Sequence, residues 1–348
     1  MNKVKNILWS IRGFFHGVSI SVSDFFVRHR MGFLVRWPNW LRAILFLLPA
    51  MALLGVFTFY PIVNAFQLVI YKGYNLSDGS ITGYTLFGNF ITVLNEDNFI
   101  FPTSHTHSSV LLNTIAIVFI SVPIAVLIAL FVATALNRIK WFKNLLQTVY
   151  FLPYVTNSIA IGLVFAYMFQ KQNTGLVNQM MEWFGVISPG EQLSWVDFGA
   201  TYWRAMSVLI IYAIWSSLAF KIMVFTTAIQ GIDKQYYQAA AIDATPKGRV
   251  FRRITVPMIS PMIFYVIITS VIGGFKTYSS VVAIFGDTGQ PAGANFNLKT
   301  IVFYIYDYLN NAVPGNMSLA AASSLILFAF ILVLTLIQMQ VSKKRVHY

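Results

Sequence analysis

The chain has 348 residues, of which 57% are hydrophobic and only 10% are charged, with 24 lysines and arginines against 11 aspartates and glutamates. Soluble domains carry about a quarter charged residues, so this composition excludes an ordinary soluble enzyme and indicates a protein with several membrane spans. The chain has no cysteine, which excludes disulfides, thiol catalysis and cysteine-ligated metals.

The first 40 residues are basic and aromatic, and they contain no apolar run long enough to span a bilayer. They lack the compact apolar core of a cleavable signal peptide. The pattern predicts a cytoplasmic amphipathic segment, residues 1–40, that lies partly in the lipid headgroup region. A disordered basic tail is the alternative interpretation. Residues 41–348 are predicted to form one transmembrane domain.

Six apolar runs follow, each near or above the roughly 20 residues that a helix needs to cross a bilayer. The predicted spans 1 to 6 are Ala43–Ile70, Val110–Leu136, Val149–Phe169, Met206–Ile229, Ile254–Phe275 and Leu319–Val341. These runs predict an all-α polytopic membrane protein. Three long connections, roughly 71–109, 170–205 and 276–318, are predicted to offer a docking surface on the outer face.

The lysines and arginines set the orientation of these spans. Most of the 24 lie in the N-terminal segment, in the connections between spans 2 and 3 and between spans 4 and 5, and in the C-terminal tail. Both termini are therefore predicted to be cytoplasmic. We expect no nucleic-acid binding, because the positive charge is divided among separate connections instead of forming one cationic face.

The connection between spans 4 and 5 is a polar, basic stretch, Gln235–Pro261, between two apolar runs. Asp233 is predicted to N-cap a short helix whose alanines leave one side smooth enough for close approach. Thr245 and Pro246 predict a second N-cap with proline at the first helical position, opening a helix over 246–253. Two short helices that protrude from a membrane predict a docking device and not a catalytic site.

This stretch resembles the cytoplasmic EAA loop of permease subunits in binding-protein-dependent ABC importers. The matching positions are Ala239, Ala240, Asp243, Phe251, Ile254, Thr255, Pro257 and Pro261. Three positions depart from the family, since Gln238 replaces a glutamate, Ala244 a glycine and Thr245 an alanine. The glutamine weakens the inference of a salt bridge but can still hydrogen-bond. The missing glycine predicts a turn that needs no left-handed residue.

The resemblance extends over roughly residues 40–345 and is stronger to the sugar branch than to the amino-acid or phosphate branches. It is carried by Leu48-Pro49, Tyr60-Pro61, Asn113-Thr114, Phe151-Leu152-Pro153, Gly175–Asn178, Trp215, Gln230–Ile232, Gly286–Pro291, Tyr304–Tyr306 and Ala320–Ser323. It implies the type I ABC importer permease fold, with six core transmembrane helices and cytoplasmic coupling helices.

The resemblance also implies partners and a site. The chain is similar to the larger permease of maltose importers, which implies a second, nonidentical permease, two ATP-binding cassette subunits below and an extracytoplasmic solute-binding protein above. In the family this loop inserts into a cleft on the ATPase subunit. The resemblance therefore implies that the residues that couple to the ATPase are Tyr237, Gln238, Ala239, Ala240, Asp243, Ala244, Thr245, Phe251 and Pro257. No GxxxxGK phosphate loop is present, so ATP and Mg²⁺ are expected on partner subunits, with no cofactor in this chain.

Hydroxyl, amide and aromatic side chains within the spans suit a sugar, which binds through hydrogen bonds and ring stacking. The predicted substrate-path residues are Asn157, Tyr212, Ser216, Thr269, Ser270, Gly273, Gly274 and Tyr278. The alternative is that the polar residues only join helix to helix, and that the paired glycines serve close packing. Lys221 is expected to snorkel to the cytoplasmic interface.

Other functions fit the sequence less well. His105 and His107 lack a third ligand, so no metal site is predicted, and no carboxylate pair or Ser/His/Asp set predicts an enzyme. An importer of another solute, such as glycerol phosphate, a peptide or a polyamine, remains an alternative, although a phosphate favours a buried arginine and the spans have none. An ion-coupled secondary transporter is disfavoured because no acid lies deep in a span.

Overall fold

The computed structural model describes residues 38–96, 98–102, 108–137, 139, 143–172, 175–311 and 313–345. The predicted N-terminal amphipathic segment therefore lies outside the described residues, apart from its last three positions. His105 and His107 also lie outside them. Chain contacts divide the protein into a first unit that ends at Ala65 and a second that begins at Phe66.

The described part of the first unit is one nearly continuous apolar helix. Helix α1 (Asn39–Leu54) continues through a π-helical turn (Gly55–Phe59) into α2 (Tyr60–Ile70), whose last residues belong to the second unit. Pro61 has no N–H to donate, and the wider turn directly before it accommodates the break in the hydrogen-bond ladder. The predicted span Ala43–Ile70 is confirmed as long and apolar enough to cross a membrane.

The second unit is mostly helical. Its elements in chain order are β1 (Tyr71–Lys72), β2 (Gly83–Tyr84), α3 (Gly88–Asn95), α4 (Val110–Leu136), α5 (Lys143–Val155), α6 (Ser158–Met168), α7 (Leu176–Trp183), α8 (Tyr202–Gln230), α9 (Lys234–Ile242), α10 (Lys247–Val250), a π-helical turn (Phe251–Thr255), α11 (Val256–Met258), α12 (Ser260–Phe275), α13 (Ser279–Phe285), a 3-10 turn (Gly286–Thr288), α14 (Ile301–Asn310) and α15 (Asn316–Arg345). Strands β1 and β2 pair antiparallel, with Tyr71 opposite Tyr84.

Four helices of the described chain are long and apolar enough to cross a membrane, and a bent pair offers a fifth crossing. Three of the four lie in the second unit, as α4, α8 and α15. Helix α4 has the bounds predicted for span 2. Helices α8 and α15 extend a few residues beyond the predicted spans 4 and 6 at both ends.

Span 3 is not the single helix that was predicted. It divides into α5 and α6 at Thr156 and Asn157. The Asn157 side chain accepts a hydrogen bond from the backbone N–H of Ile159 at 2.8 Å and so caps α6. An apolar run cannot reveal this break, because a local cap satisfies the free N–H groups and starts a new helix.

Span 5 is also broken. The helical stretch Lys247–Met258 meets Ser260–Phe275 at an angle of 68°. Pro257 and Pro261 bracket this bend, and each removes one backbone donor from the ladder. The bend separates the helical stretch Lys247–Met258, which begins in the polar connection, from the apolar helix α12.

Helix α4 lies at the centre of the second unit. Its buried side chains pack against α8 on one side and α12 on the other, and Val118 and Ala125 are fully buried. The outer connections are more ordered than their composition indicates, since they form the β1–β2 hairpin and helices α3, α7, α13 and α14. The tertiary contacts that hold these connections position the outer rim of a cavity between the helices.

Candidate functional site

The polar connection between α8 and α12 folds into a compact loop, residues 233–257, which we call the coupling loop. Asp233 accepts a hydrogen bond from the backbone N–H of Gln235 at 2.9 Å, which confirms the predicted cap of α9. The hydroxyls of Tyr237 and Thr255 lie 3.1 Å apart, and Ala240 is buried. Helix α9 is thus attached by one face to the second half of its own loop.

The coupling loop is anchored to the core of the second unit. Tyr237 and Phe251 pack against the apolar cluster that contains Ile229 and Ile232, at the end of α8, and Ile259, just before α12. A displacement of the loop must therefore move the ends of two membrane helices, because close-packed interiors transmit strain.

The opposite face of α9 is exposed and holds two glutamines, an alanine and an isoleucine, with no charged side chain. Gln235, Gln238, Ala239 and Ile242 are spaced three or four residues apart and so lie on one face. Ile242 is 85% exposed although it lies in a basic, polar loop. Full burial of such a side chain is worth about 1.5–3 kcal/mol, so this face suits a protein partner better than it suits water.

Helix α9 ends in a Schellman turn. The N–H of Thr245 donates to the carbonyl of Ala240 at 2.9 Å, and the N–H of Ala244 donates to Ala241 at 3.1 Å. Ala244 has a φ of +48°, which is the left-handed conformation that glycine normally supplies. The prediction that this turn needs no left-handed residue is therefore wrong, and alanine here costs roughly 1–2 kcal/mol of backbone strain.

The second helix of the loop also differs from the prediction. It begins at Lys247 with Pro246 at the N-cap, not at the first helical position, and Thr245 closes the first helix instead of capping the second. It does not end near 253, because it continues through a π-helical turn to Met258. The wide turn immediately precedes Pro257, whose missing N–H disturbs the regular ladder.

A cavity of about 490 Å³ lies between the helices of the second unit. Seven of the eight predicted substrate-path residues line it, namely Tyr212, Ser216, Thr269, Ser270, Gly273, Gly274 and Tyr278. Asn157 is not among its lining residues, because its side chain caps α6. The tertiary structure thus brings together residues from α4, α5, α6, α8, α12 and α13.

Five of the twelve hydroxyl groups that line this cavity donate to backbone carbonyls. Ser217 donates to the carbonyl of Ile214 at 3.0 Å, and Thr269 donates to that of Tyr265 at 2.8 Å. Tyr212 donates to the carbonyl of Ser158 at 2.9 Å and so joins α8 to the break in span 3. The oxygens of these five groups keep free lone pairs and offer a ligand hydrogen-bond acceptors, whereas the other seven hydroxyls can both donate and accept.

The two glycines of α12 have different surroundings. A Cβ on Gly274 would lie 2.9 Å from Cγ2 of Val118, whereas a Cβ on Gly273 would meet nothing within 4 Å. Gly274 therefore permits close approach between α12 and α4, as the packing alternative predicted. Gly273 faces the open cavity.

Lys221 does not snorkel. It is 3% exposed and lines the cavity. It lies about 14 Å along the axis before the end of α8 at Gln230, which is farther than a lysine side chain can reach. The expectation failed because it placed Lys221 too close to the cytoplasmic end of the helix.

Comparison with models of known protein families identifies the family of this chain. The model of the family described as "Binding-protein-dependent transport system inner membrane component" matches residues 125–347, which include the coupling loop and the cavity lining from α5 onwards. The chain belongs to this family. It is a multi-pass permease subunit of an ABC importer with the type I fold, as the sequence predicted.

Relatives resemble the permease over most of its length. The lactose transport system permease protein LacF of Rhizobium radiobacter is 32% identical over 303 residues, covering 86% of this chain and 94% of that protein. The arabinooligosaccharides transport system permease protein AraP of Halalkalibacterium halodurans is 30% identical over 285 residues, covering 82% of each chain. One solved structure, a bacterial alginate ABC transporter in complex with alginate pentasaccharide-bound periplasmic protein, has a chain that is 22% identical, with a TM-score of 0.70 and coverage of 88% and 95%.

Sequence reasoning named Asn113 only as a match to the family and gave it no structural role. Asn113 is fully buried, and its amide donates to the carbonyls of Asn297 and Lys299, both at 3.0 Å. Its oxygen accepts from the Tyr202 hydroxyl at 2.9 Å. One amide thus joins α4, α8 and the connection before α14. A polar residue at the start of a strongly apolar run is the signal that could have found it.

A second polar cluster lies in the outer connections. The hydroxyls of Tyr304 and Tyr308 both donate to the carboxylate of Glu96. Burial, followed by the hydrogen bond to this carboxylate, raises the pKa of Tyr308 to about 12, and burial likewise raises the pKa of Tyr304. Both phenols therefore stay protonated in the folded protein at physiological pH, and they hold α14 against the connection after α3.

Proposed function

We propose that the chain is one half of the translocation path of an ATP-driven carbohydrate importer. A second, nonidentical permease forms the other half, two ATP-binding cassette subunits bind below, and an extracytoplasmic solute-binding protein delivers the substrate from above. The chain itself hydrolyses no ATP. It sits in the inner membrane with both termini and the coupling loop in the cytoplasm, where the excess of lysine and arginine favours them.

The exposed face of α9 is the observation that carries this proposal. An uncharged surface with Ala239 and Ile242 flanked by two glutamines projects from an otherwise charged loop, whose other face is fixed to its own chain. Such a surface provides the apolar centre of a protein–protein contact with a charged rim. The ATPase subunit supplies the complementary cleft, and Tyr237, Gln238, Ala239, Ala240, Asp243, Ala244, Thr245, Phe251 and Pro257 present or support this surface.

Asp243 supports the same interpretation. It is exposed at the C-terminal end of α9, where a negative charge opposes the helix dipole by about 0.3–1 kcal/mol. Among the described residues it forms no ion pair. Its carboxylate therefore does not stabilise the loop, and we assign it to contact with the partner.

The carbohydrate assignment rests on the cavity. Its hydroxyl-rich lining, with Tyr154 and Phe220 stacked at 6.1 Å between ring centroids, offers lone pairs for sugar hydroxyls and an aromatic surface for a sugar ring. Relatives whose names specify lactose or arabinooligosaccharides agree with this class. ATP-driven movement of the coupling loop then rocks the helix ends to which it is anchored, and the cavity opens alternately to each side.

Affinity purification through a tag on this chain, followed by reconstitution, tests the proposal. We expect a second permease and an ATPase to copurify with the tagged chain. When the binding protein is supplied outside the proteoliposomes, labelled oligosaccharide should enter them only if ATP is present inside. Uptake that persists without ATP but stops when an uncoupler is added would instead identify an ion-coupled transporter. Uptake of peptides or polyamines but of no sugar would refute the carbohydrate class alone.

A further inference from the structure

Lys221 is a buried cation without a partner among the described residues of its chain. Its side chain is 3% exposed, yet no hydrogen bond or ion pair joins it to any of those residues, among which Lys299–Asp307 is the only ion pair. A charge inside a membrane protein is costly and is normally paired or functional. An anion that enters the cavity would compensate this charge.

The cavity around Lys221 contains no acid. Its lining includes a second lysine, Lys276, towards the outer end, and neither aspartate nor glutamate is present among the lining residues. Five of the lining hydroxyls donate to backbone carbonyls, among them Ser217 to Ile214 and Thr277 to Gly274 at 2.7 Å. The two ammonium groups are the only charged hydrogen-bond donors among the lining residues.

We propose that this cavity takes a sugar that carries an anionic group, a carboxylate or a phosphate ester, and that Lys221 binds that group. The proposal rests on the permease function proposed above and narrows its substrate class. The acceptor-rich hydroxyls receive the sugar O–H groups, the stacked pair Tyr154 and Phe220 contacts the ring, and the ammonium of Lys221 pairs with the anion.

Equilibrium binding of labelled sugars to the purified membrane complex tests this assignment. The solute-binding protein is left out, because its own selectivity would otherwise be measured together with that of the cavity. The first probe pair is a labelled galacturonic acid trisaccharide and the same trisaccharide with its carboxyls reduced to alcohols. The second pair, which distinguishes phosphate from carboxylate, is glucose 6-phosphate and glucose. A charge-assisted hydrogen bond predicts that the anionic member of at least one pair binds about ten to a hundred times more tightly.

Variants of Lys221 assign the preference to its charge. Lys221→Met removes the charge and keeps most of the side-chain volume, so the anionic preference should disappear while the neutral probe still binds. Lys221→Arg keeps the charge and should retain at least part of the preference. Lys276→Met is the matched control at the outer end of the same cavity and should reduce the preference less.

Several results would overturn the assignment. Equal or tighter binding of the neutral member in both pairs would mean that a carboxylate of the second permease compensates Lys221. No binding of any probe, or an unchanged preference in Lys221→Met, would also refute it. ATP-driven uptake of a neutral sugar would leave the proposed importer function intact, whereas loss of all ATP-dependent sugar uptake would remove both.

Discussion

The coupling loop and the transmembrane cavity both contain features that lower stability, but the two regions differ in the size and setting of those features. In the loop, Ala244 adopts a left-handed conformation and Asp243 lies at the unfavourable end of a helix, both exposed to water. In the cavity, Lys221 is buried with no acid among the described lining residues. Each of the two exposed features lowers the stability of the fold by about 1 kcal/mol, whereas a buried charge without a partner lowers it by several kcal/mol. We infer from this comparison that the loop binds a permanent partner, the proposed ATPase subunit. The cavity binds a transient one, the proposed substrate.

The largest effect is expected at the exposed end of α9. Ile242→Asp places a charge in the proposed apolar contact, so ATP-driven uptake by the reconstituted complex should fall at least about tenfold. Ala241→Asp, on the same helix but outside that face, should change uptake by no more than about twofold. An equal loss in the two variants would contradict docking through this face.

The next largest effect is expected at the outer rim. Asn113→Leu leaves the carbonyls of Asn297 and Lys299 and the hydroxyl of Tyr202 without their partner, at about 1–3 kcal/mol each. The thermal midpoint of the purified complex should therefore drop sharply. The exposed Asn295→Leu is the control from the same connection and should leave the midpoint nearly unchanged.

The two glycines of α12 separate packing from cavity lining. Gly274→Ala forces its new Cβ against Val118 and should destabilise the protein by about 1–3 kcal/mol, measured as a lower thermal midpoint. Gly273→Ala should not lower the midpoint, since its Cβ meets nothing and alanine is favourable within a helix, but it should narrow the cavity and so weaken substrate binding. The opposite ranking of the two midpoints would show that α12 faces the other way.

A smaller effect of opposite sign is expected in the coupling loop. Ala244→Gly relieves the left-handed strain and should stabilise the protein by about 1 kcal/mol. Ala241→Gly, one helical position inside α9, should destabilise it by a similar amount, since glycine is unfavourable within a helix. A thermal midpoint that falls in Ala244→Gly would argue against the Schellman turn.

The effect that is smallest at physiological pH comes from Tyr308, because it becomes visible only in alkaline solution. The raised pKa of Tyr308, about 12 against an ordinary 10, means that the folded protein holds a proton that the unfolded chain loses. Stability should therefore be constant up to about pH 9 and fall as the pH rises from 10 towards 12. Thermal unfolding across this range should show a shallower decline in Tyr308→Phe, and an unchanged decline would exclude this tyrosine as the cause.

The sequence by itself determined the features that depend on nearby residues or on composition. Apolar length gave spans 1, 2, 4 and 6, the distribution of lysine and arginine predicted the sidedness, and the side chain of Asp233 defined the start of α9. The resemblance in the coupling loop led to the correct family. These properties are visible in the sequence because neighbouring residues set caps, hydropathy and charge.

Only the tertiary structure decided the features that depend on distant residues. It divided span 3 at Asn157, placed Ala244 in a left-handed turn, assigned Gly274 to packing and Gly273 to the cavity, and buried Lys221. The outcomes at Gly273, Gly274 and Lys221 depend on which helix lies opposite, and one-dimensional hydropathy does not contain that information. The break at Asn157 and the turn at Ala244 rest on local hydrogen bonds, which hydropathy does not register either. Because the lining of the cavity comes from six helices separated along the chain, its chemistry arises only when those helices pack together.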